Sequence, residues 1–428
     1  MKIQAVWIDG FKNLSNVRIG FDQITALVAL NNFGKSNVLS AIDFGLTFIK
    51  SSTEEKEDMM GNSNLIPIHS EMFGRNYKFE MEILTDMKGV EQRIQYGYAF
   101  TWRCEEDTEP EIIEEYLKIK AESKGQKYTQ LIQRNTEKVF YKSSETGRCS
   151  SKISVERTEL VINKLRAYDD LFYGEIIRKL NKIRIYMENN LDVKRFYRPD
   201  PIIKKGLENM TIDAENLPRV IFQLRKNEPD KFELLKDVYA QLFPNIEDIG
   251  VRQYQVESEK NGFAIDELPF IITNSIYVLF VKDKNLKYPI DFASMSDGAK
   301  RVFMILTRIV LSEVSNVSLI AIEEPENSVH PSLFQAYVRI ISQLLNDCKI
   351  IITSHSPYIV SYLEPSWIHV GVNRKPGIAE FFKFKKSGQK LLQQDADEFK
   401  MSTGDYLFSM LADEENDWGE YLECDGNE

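Results

Sequence analysis

The sequence predicts an α/β fold with a mixed sheet core, interrupted by an inserted, mainly helical lobe. Three observations carry this. Ile24 to Leu30 is a continuous apolar run of the kind buried on both faces of a sheet, and the residues from Lys35 to Phe48 then space Val38, Leu39, Ile42 and Leu46 along one helix face. After Asp291 strand and helix patterns alternate, which implies parallel strands joined by crossover helices. Between about Glu109 and Asn285 that alternation gives way to helical segments set among short strands.

In chain order, short strands are expected at Ile3 to Ile8, Val17 to Phe21 and Ile24 to Leu30, followed by the helix from Lys35. Residues 51 to 64, SSTEEKEDMMGNSN, are polar and read as a mobile loop. Tyr77 to Leu84 and Arg93 to Trp102 alternate as a hairpin pair. Helical spacing recurs at Thr158 to Tyr168, Tyr173 to Met187, Leu217 to Leu224 and Asp230 to Leu242. The closing alternation is a helix from Asp297 to Leu311, a strand Ser318 to Ile322, a helix Pro331 to Leu345 and a strand Lys349 to Thr353. The expected organisation is an N-terminal lobe over 1–108, an insertion over 109–285, a C-terminal lobe over 286–390 and an acidic tail over 391–428.

Composition narrows the function. At roughly 150 residues per domain, 428 residues make two or three units with cores that need no staples. The chain holds 54 Lys and Arg against 65 Asp and Glu, net −11, yet twelve of the acids and a single Lys lie from Leu391 onward, so the body is neutral. This excludes a uniformly cationic nucleic-acid coat and leaves room for local basic patches. One such stretch, Arg178 to Lys205, carries nine basic and three acidic residues with Tyr186, Phe196 and Tyr197 among them. The four cysteines, Cys104, Cys149, Cys348 and Cys424, form no CxxC pair, which argues against structural zinc and suits a reducing compartment. No signal peptide and no run of 18 apolar residues is found, so a cytoplasmic protein without a membrane span is expected.

Four motifs carry chemistry. Between the third strand and its helix lies Asn31-Asn32-Phe33-Gly34-Lys35-Ser36-Asn37. In that position backbone N–H groups and the helix N-terminus face a phosphate chain, Lys35 reaches the β and γ phosphates, and the Ser36 hydroxyl can ligate Mg²⁺. One departure from G-x-x-x-x-G-K-[ST] is Ala29 at the first glycine, whose methyl restricts the turn if that position needs positive φ. The second motif is an apolar strand ending in Glu323-Glu324, where Glu323 would hold the metal and Glu324 would accept a proton from attacking water; a solvated turn is the other reading. Third, Ser296-Asp297-Gly298 opens an apolar helix as either a simple cap or a second anion site. Fourth, the strand Ile350 to Thr353 delivers His355 to its end, either as a structural imidazole or as a hydrogen-bond partner of the γ phosphate or water. His330 keeps the structural reading.

The order and spacing of these motifs resemble the ATPase heads of the ABC type. More closely the chain resembles AAA-family ATPases of the RecF/SMC/OLD branch, which begin with a strand and a turn such as Phe11-Lys12-Asn13-Leu14. The resemblance implies an ABC-ATPase-like P-loop fold using ATP and Mg²⁺. It also implies a homodimer, with higher oligomers open, in which two ATP molecules are sandwiched. Each site would combine Lys35, Ser36, Glu323, Glu324 and His355 of one subunit with Ser296 and Gly298 of the other, with Asn31 at the nucleotide and Asn327 and Ser328 across the interface. OLD nucleases carry a TOPRIM domain after the ATPase, and no convincing TOPRIM pattern follows His355, so no intrinsic nuclease is expected; Asp395-Ala396-Asp397 reads as solvated surface. The chain therefore resembles stand-alone ATPase subunits of bacterial anti-phage defence systems of the PARIS or Septu type, whose effector is a separate protein. A RecF-like clamp on DNA, resting on the Arg178 to Lys205 stretch, is the alternative. A nucleotide binder with little turnover is a third reading, motivated by Ala29 and Glu323.

Overall fold

The computed structural model describes residues 1–428 except 105–108, 189–192, 198–200, 205–211, 213–215, 256–269, 316, 414–415 and 424–428. Its contacts divide the chain into two compact units, one of residues 1–187, 321–324 and 347–428, the other of residues 188–320 and 325–346.

The first unit contains two sheets. Six strands form the mixed one, in the order Ile185–Glu188, Leu319–Glu323, Lys349–Ser354, Ile24–Val28, Ile368–Val372 and Glu380–Lys383. Ile24–Val28 runs parallel to the strands on either side of it, and Glu380–Lys383 closes the edge antiparallel. Every residue of Ile24–Val28 is buried, as its unbroken apolar run requires. The second sheet is antiparallel, with eight strands in the order Val17–Gly20, Lys2–Asp9, Tyr77–Met87, Val90–Thr101, Glu111–Ala121, Thr129–Arg134, Val139–Tyr141 and Ser151–Lys152. The helix Lys35–Lys50 packs on it through an aromatic cluster of Phe44 and Phe48 with Phe11, Tyr77, Tyr98, Phe100 and Trp102. Gly45 permits the approach, since a Cβ there would lie 2.4 Å from the Phe79 ring. The phenol hydroxyls of Tyr77 and Tyr98 donate to the Ala41 and Gly45 carbonyls, so the polar ends of these buried rings are satisfied.

In the second unit the helices Leu217–Asn227 and Pro229–Leu242 accompany the antiparallel strands Ile246–Gln255, Ser275–Asp283 and Ile290–Asp291. The long helix Asp297–Val314 is buried along most of its length, with Tyr239, Phe292 and Phe303 in edge and tilted ring contacts about its first turns. Tyr197 and Tyr239 donate to the Lys300 and Ala299 carbonyls and so fix the start of that helix.

Five expectations are corrected. The boundary expected near Glu109 falls at Met187, because Glu111–Ala121 and the strands after it extend the antiparallel sheet. Their alternation is masked by Glu115, a carboxylate at a fully buried position. Likewise the helices Asp297–Val314 and Pro331–Leu344 belong to the second unit and not to the C-terminal lobe. Residues 51 to 64 are not a loop throughout, since Thr53–Met60 is a helix closed by a capping box between Ser52 and Glu55. The acidic segment is folded: Lys386–Glu398 and Thr403–Ala412 are helices that bury Leu392, Ala396, Leu407 and Met410. The segment expected as one helix from Tyr173 to Met187 is a helix Gly174–Leu180 followed by the strand Ile185–Glu188. The basic stretch Arg178 to Lys205 lies partly outside the described residues.

Candidate functional site

In the first unit the phosphate loop follows Ile24–Val28, and His355 follows the neighbouring parallel strand Lys349–Ser354, where Ser354 pairs with Val28. Glu323 ends the next strand of the same sheet. Carboxyl ends of such strands are where open α/β sheets bind ligands.

The loop answers the question raised by Ala29. Positive φ is taken up by Asn32 at 59° and Gly34 at 122°, and not by Ala29. The buried Ala29 methyl faces Gly371 of the adjacent strand, where a Cβ would lie 2.7 Å from it and 2.5 Å from the Phe33 ring. Lys35 opens the helix, and its ammonium donates to the Ala29 and Leu30 carbonyls at 2.8 and 2.9 Å, curling back over the loop. Asn31, Asn32 and Ser36 are exposed, and Asn37 is half-buried. The Phe11-Lys12-Asn13-Leu14 turn lies against this loop: Asn13 Nδ2 donates to the Phe33 carbonyl at 3.1 Å, Asn37 Nδ2 donates to Asn13 Oδ1 at 2.7 Å, and Lys12 Nζ donates to Asn37 Oδ1 at 3.3 Å.

The acidic pair departs from regular strand geometry. Glu324 has φ of 48°, which is rare for a side chain of this size and rarer before a proline, here Pro325. Its N–H donates to the Thr353 carbonyl at 3.0 Å, which ties it to the His355 strand. Glu324 Oε1 lies 2.9 Å from His355 Nδ1. With the carboxylate ionised it can only accept, so Nδ1 is the donor of this contact. Backbone strain of this kind is concentrated at functional sites, and here it aims a carboxylate at an imidazole. Glu323 is half-buried beside it.

In the second unit Ser296 caps the helix Asp297–Val314 by accepting from the Ala299 N–H, and Asp297 pairs with Lys300 at 2.9 Å. Ser296 and Asp297 are both exposed. Gly298 has a steric reason to be glycine, because a Cβ there would lie 2.1 Å from the Ser328 carbonyl oxygen. The cap is formed, and its exposed face leaves the anion reading open. His330 accepts from the Ser332 N–H at the start of Pro331–Leu344 and is a helix cap.

Sequence reasoning missed the roles of Asn13, Gly371 and Ala379 around the phosphate loop. The Phe11-Lys12-Asn13-Leu14 turn was the available signal; Gly371 had none, because only the sheet order brings it there, and Ala379 had none, because it meets this turn through an isolated bridge to Leu14 and its N–H on the Asn13 carbonyl.

Comparison with known proteins gives a family and, at low identity, several similar solved structures. The AAA ATPase domain family matches residues 1–360. Among solved structures the chain is similar to an SMC head bound to the C-winged helix domain of ScpA, at 14% identity over 91% of this chain and 100% of that one, TM-score 0.47. It is similar to the Smc head of Pyrococcus furiosus bound to the C-terminal domain of ScpA, at 13% identity over 93% and 99%, TM-score 0.46. The recombination mediator RecF is similar at 11% identity over 89% and 97%, TM-score 0.39. No curated protein matches the chain. No helix among the described residues is long and apolar enough to cross a membrane.

Proposed function

The chain belongs to the AAA ATPase domain family, and from that premise we propose that it is an ATP-hydrolysing dimeric switch that serves a separate effector. The observation that carries this reading is the convergence of the phosphate loop, the acidic pair and His355 at the ends of strands in one sheet, with Glu324 held on His355 at 2.9 Å.

Each residue has a chemical task. The loop N–H groups and the start of Lys35–Lys50 receive phosphate oxygens, and the Lys35 ammonium exchanges its carbonyl partners for the β and γ phosphates. Ser36 offers an exposed hydroxyl and Glu323 a half-buried carboxylate; these hard oxygen donors fit Mg²⁺, which neutralises phosphate charge when bound. Glu324 takes the proton of the attacking water, and His355 keeps that carboxylate oriented. Ser296 and Gly298 of a second copy would close over the γ phosphate, so that hydrolysis removes a charge-assisted bridge between the copies and loosens them. A dimer that changes with nucleotide state suits a sensor and scaffold for a separate nuclease in anti-phage defence.

The test is Glu324→Gln. Loss of the base lowers phosphate release by about two to three orders of magnitude while ATP stays bound. Turnover equal to that of the wild type would show that Glu324 is not the base. Co-purification from a host expressing the flanking genes, done with Glu324→Gln held in ATP, tests the effector; a single chain with no companion in either nucleotide state contradicts that part.

A further inference from the structure

We propose that Asn13 is a positioning residue for the phosphate loop, a reading that rests on the proposed nucleotide site and adds a residue to it. A trans peptide is planar, with its C=O and N–H pointing in opposite directions. Asn13 Nδ2 donates to the Phe33 carbonyl at 3.1 Å, so it sets the orientation of the Phe33–Gly34 peptide and points the Gly34 N–H the other way. That N–H belongs to the glycine directly before Lys35, where loops of this kind present their donors to phosphate. The other end of the same amide accepts from Asn37 Nδ2 at 2.7 Å, tying the first turn of Lys35–Lys50 to the same anchor. One side chain thus holds the peptide before the lysine and the helix after it.

The anchor is itself held from outside the loop. The Asn13 carbonyl accepts from the Ala379 N–H at 2.8 Å, the Ser15 N–H donates back to the Ala379 carbonyl at 3.3 Å, and the Lys12 N–H donates to the Leu65 carbonyl at 2.9 Å. A Cβ on Gly34 would lie 3.0 Å from the Ala379 methyl and 3.1 to 3.2 Å from the Asn13 amide, so the two crowd the loop from one side. Phe381 adds an edge contact to the Phe33 ring with centroids 5.5 Å apart. Ala379 and Phe381 lie beyond the family match at residues 1–360. The C-terminal segment therefore supports the phosphate loop, with Asn13 as the link.

The experiment compares the wild type, Asn13→Ala and Asn13→Asp in the full chain, by fluorescent-ATP titration with Mg²⁺ and by melting with and without nucleotide. Losing two amide hydrogen bonds that preorganise the loop weakens ATP about tenfold in Asn13→Ala. The near-isosteric Asn13→Asp keeps the acceptor for Asn37 but sets an anion against the Phe33 carbonyl, and weakens ATP further. In both variants the melting point without nucleotide stays close to the wild-type value and the ATP-induced rise shrinks. A wild type that does not bind ATP would refute the nucleotide site itself. A wild type that binds, with both variants binding equally well, overturns the role of Asn13. So does a lowered melting point without nucleotide combined with unchanged affinity, because that marks a residue needed only for folding.

Discussion

Glu115 is fully buried, yet it accepts from the Val161 and Ile162 N–H groups and from the Tyr96 hydroxyl, with Arg134 close by. Burial pushes its carboxyl up from 4.5 to about 7, and those donors and the Arg134 charge hold it below what burial alone would give. The folded chain therefore binds this proton more tightly than the unfolded chain. The stabilisation is complete in acid below about 4.5 and is lost as pH rises toward 7. Denaturant titrations of the wild type and Glu115→Gln between pH 5 and 8 check this. The difference, wild type minus variant, should fall as pH rises; a difference that is constant or grows contradicts it. At this scale Lys35, Ser36, Glu323, Glu324 and His355 were legible in the sequence as candidates, because strand ends and glycine loops leave a local signature. It did not disclose the left-handed Glu324 or the buried Glu115, which depend on neighbours far along the chain.

Among elements, the helix Thr53–Met60 is the clearest failure of a composition argument. Its polar sequence looks like a loop, but Lys56 is fully buried, donates to Glu159 at 2.8 Å, and lies 6.0 Å from the Phe48 ring centroid. Thr53 and Asn163 donate to the same carboxylate. The Ser52 and Glu55 capping box was legible, and the distant Glu159 was not. Removing one member of a buried pair strands the other, so Glu159→Ala should cost about 3 kcal/mol by leaving the Lys56 ammonium without its anion. Lys56→Met should cost less than half of that, since Glu159 keeps Thr53 and Asn163. Equal losses in chemical denaturation would mean that the pair contributes nothing beyond packing. The strands and helices around the phosphate loop were read correctly, because their apolar runs and helical spacings lie within a single segment. The strands Glu111–Ala121 and Thr129–Arg134 were assigned to the wrong lobe, since a sheet is defined by its partners.

For the whole molecule, the sequence reached the AAA ATPase family through motif order, and the family match over residues 1–360 bears out that much. It did not reach the division into units, because the second unit takes its residues from both sides of Ala321–Glu324. Nor did it reach the C-terminal helices: a charge count describes their exposed faces, while Leu392, Leu407 and Met410 fold them. In the proposed switch, two copies complete each other's sites around ATP. Light scattering on Glu324→Gln with ATP and Mg²⁺ reads this out. The expected mass is twice the 49.7 kDa of the chain, reverting to one chain when nucleotide is withdrawn or when Ser296→Arg blocks the exposed cap. A mass of one chain with ATP demonstrably bound would contradict it.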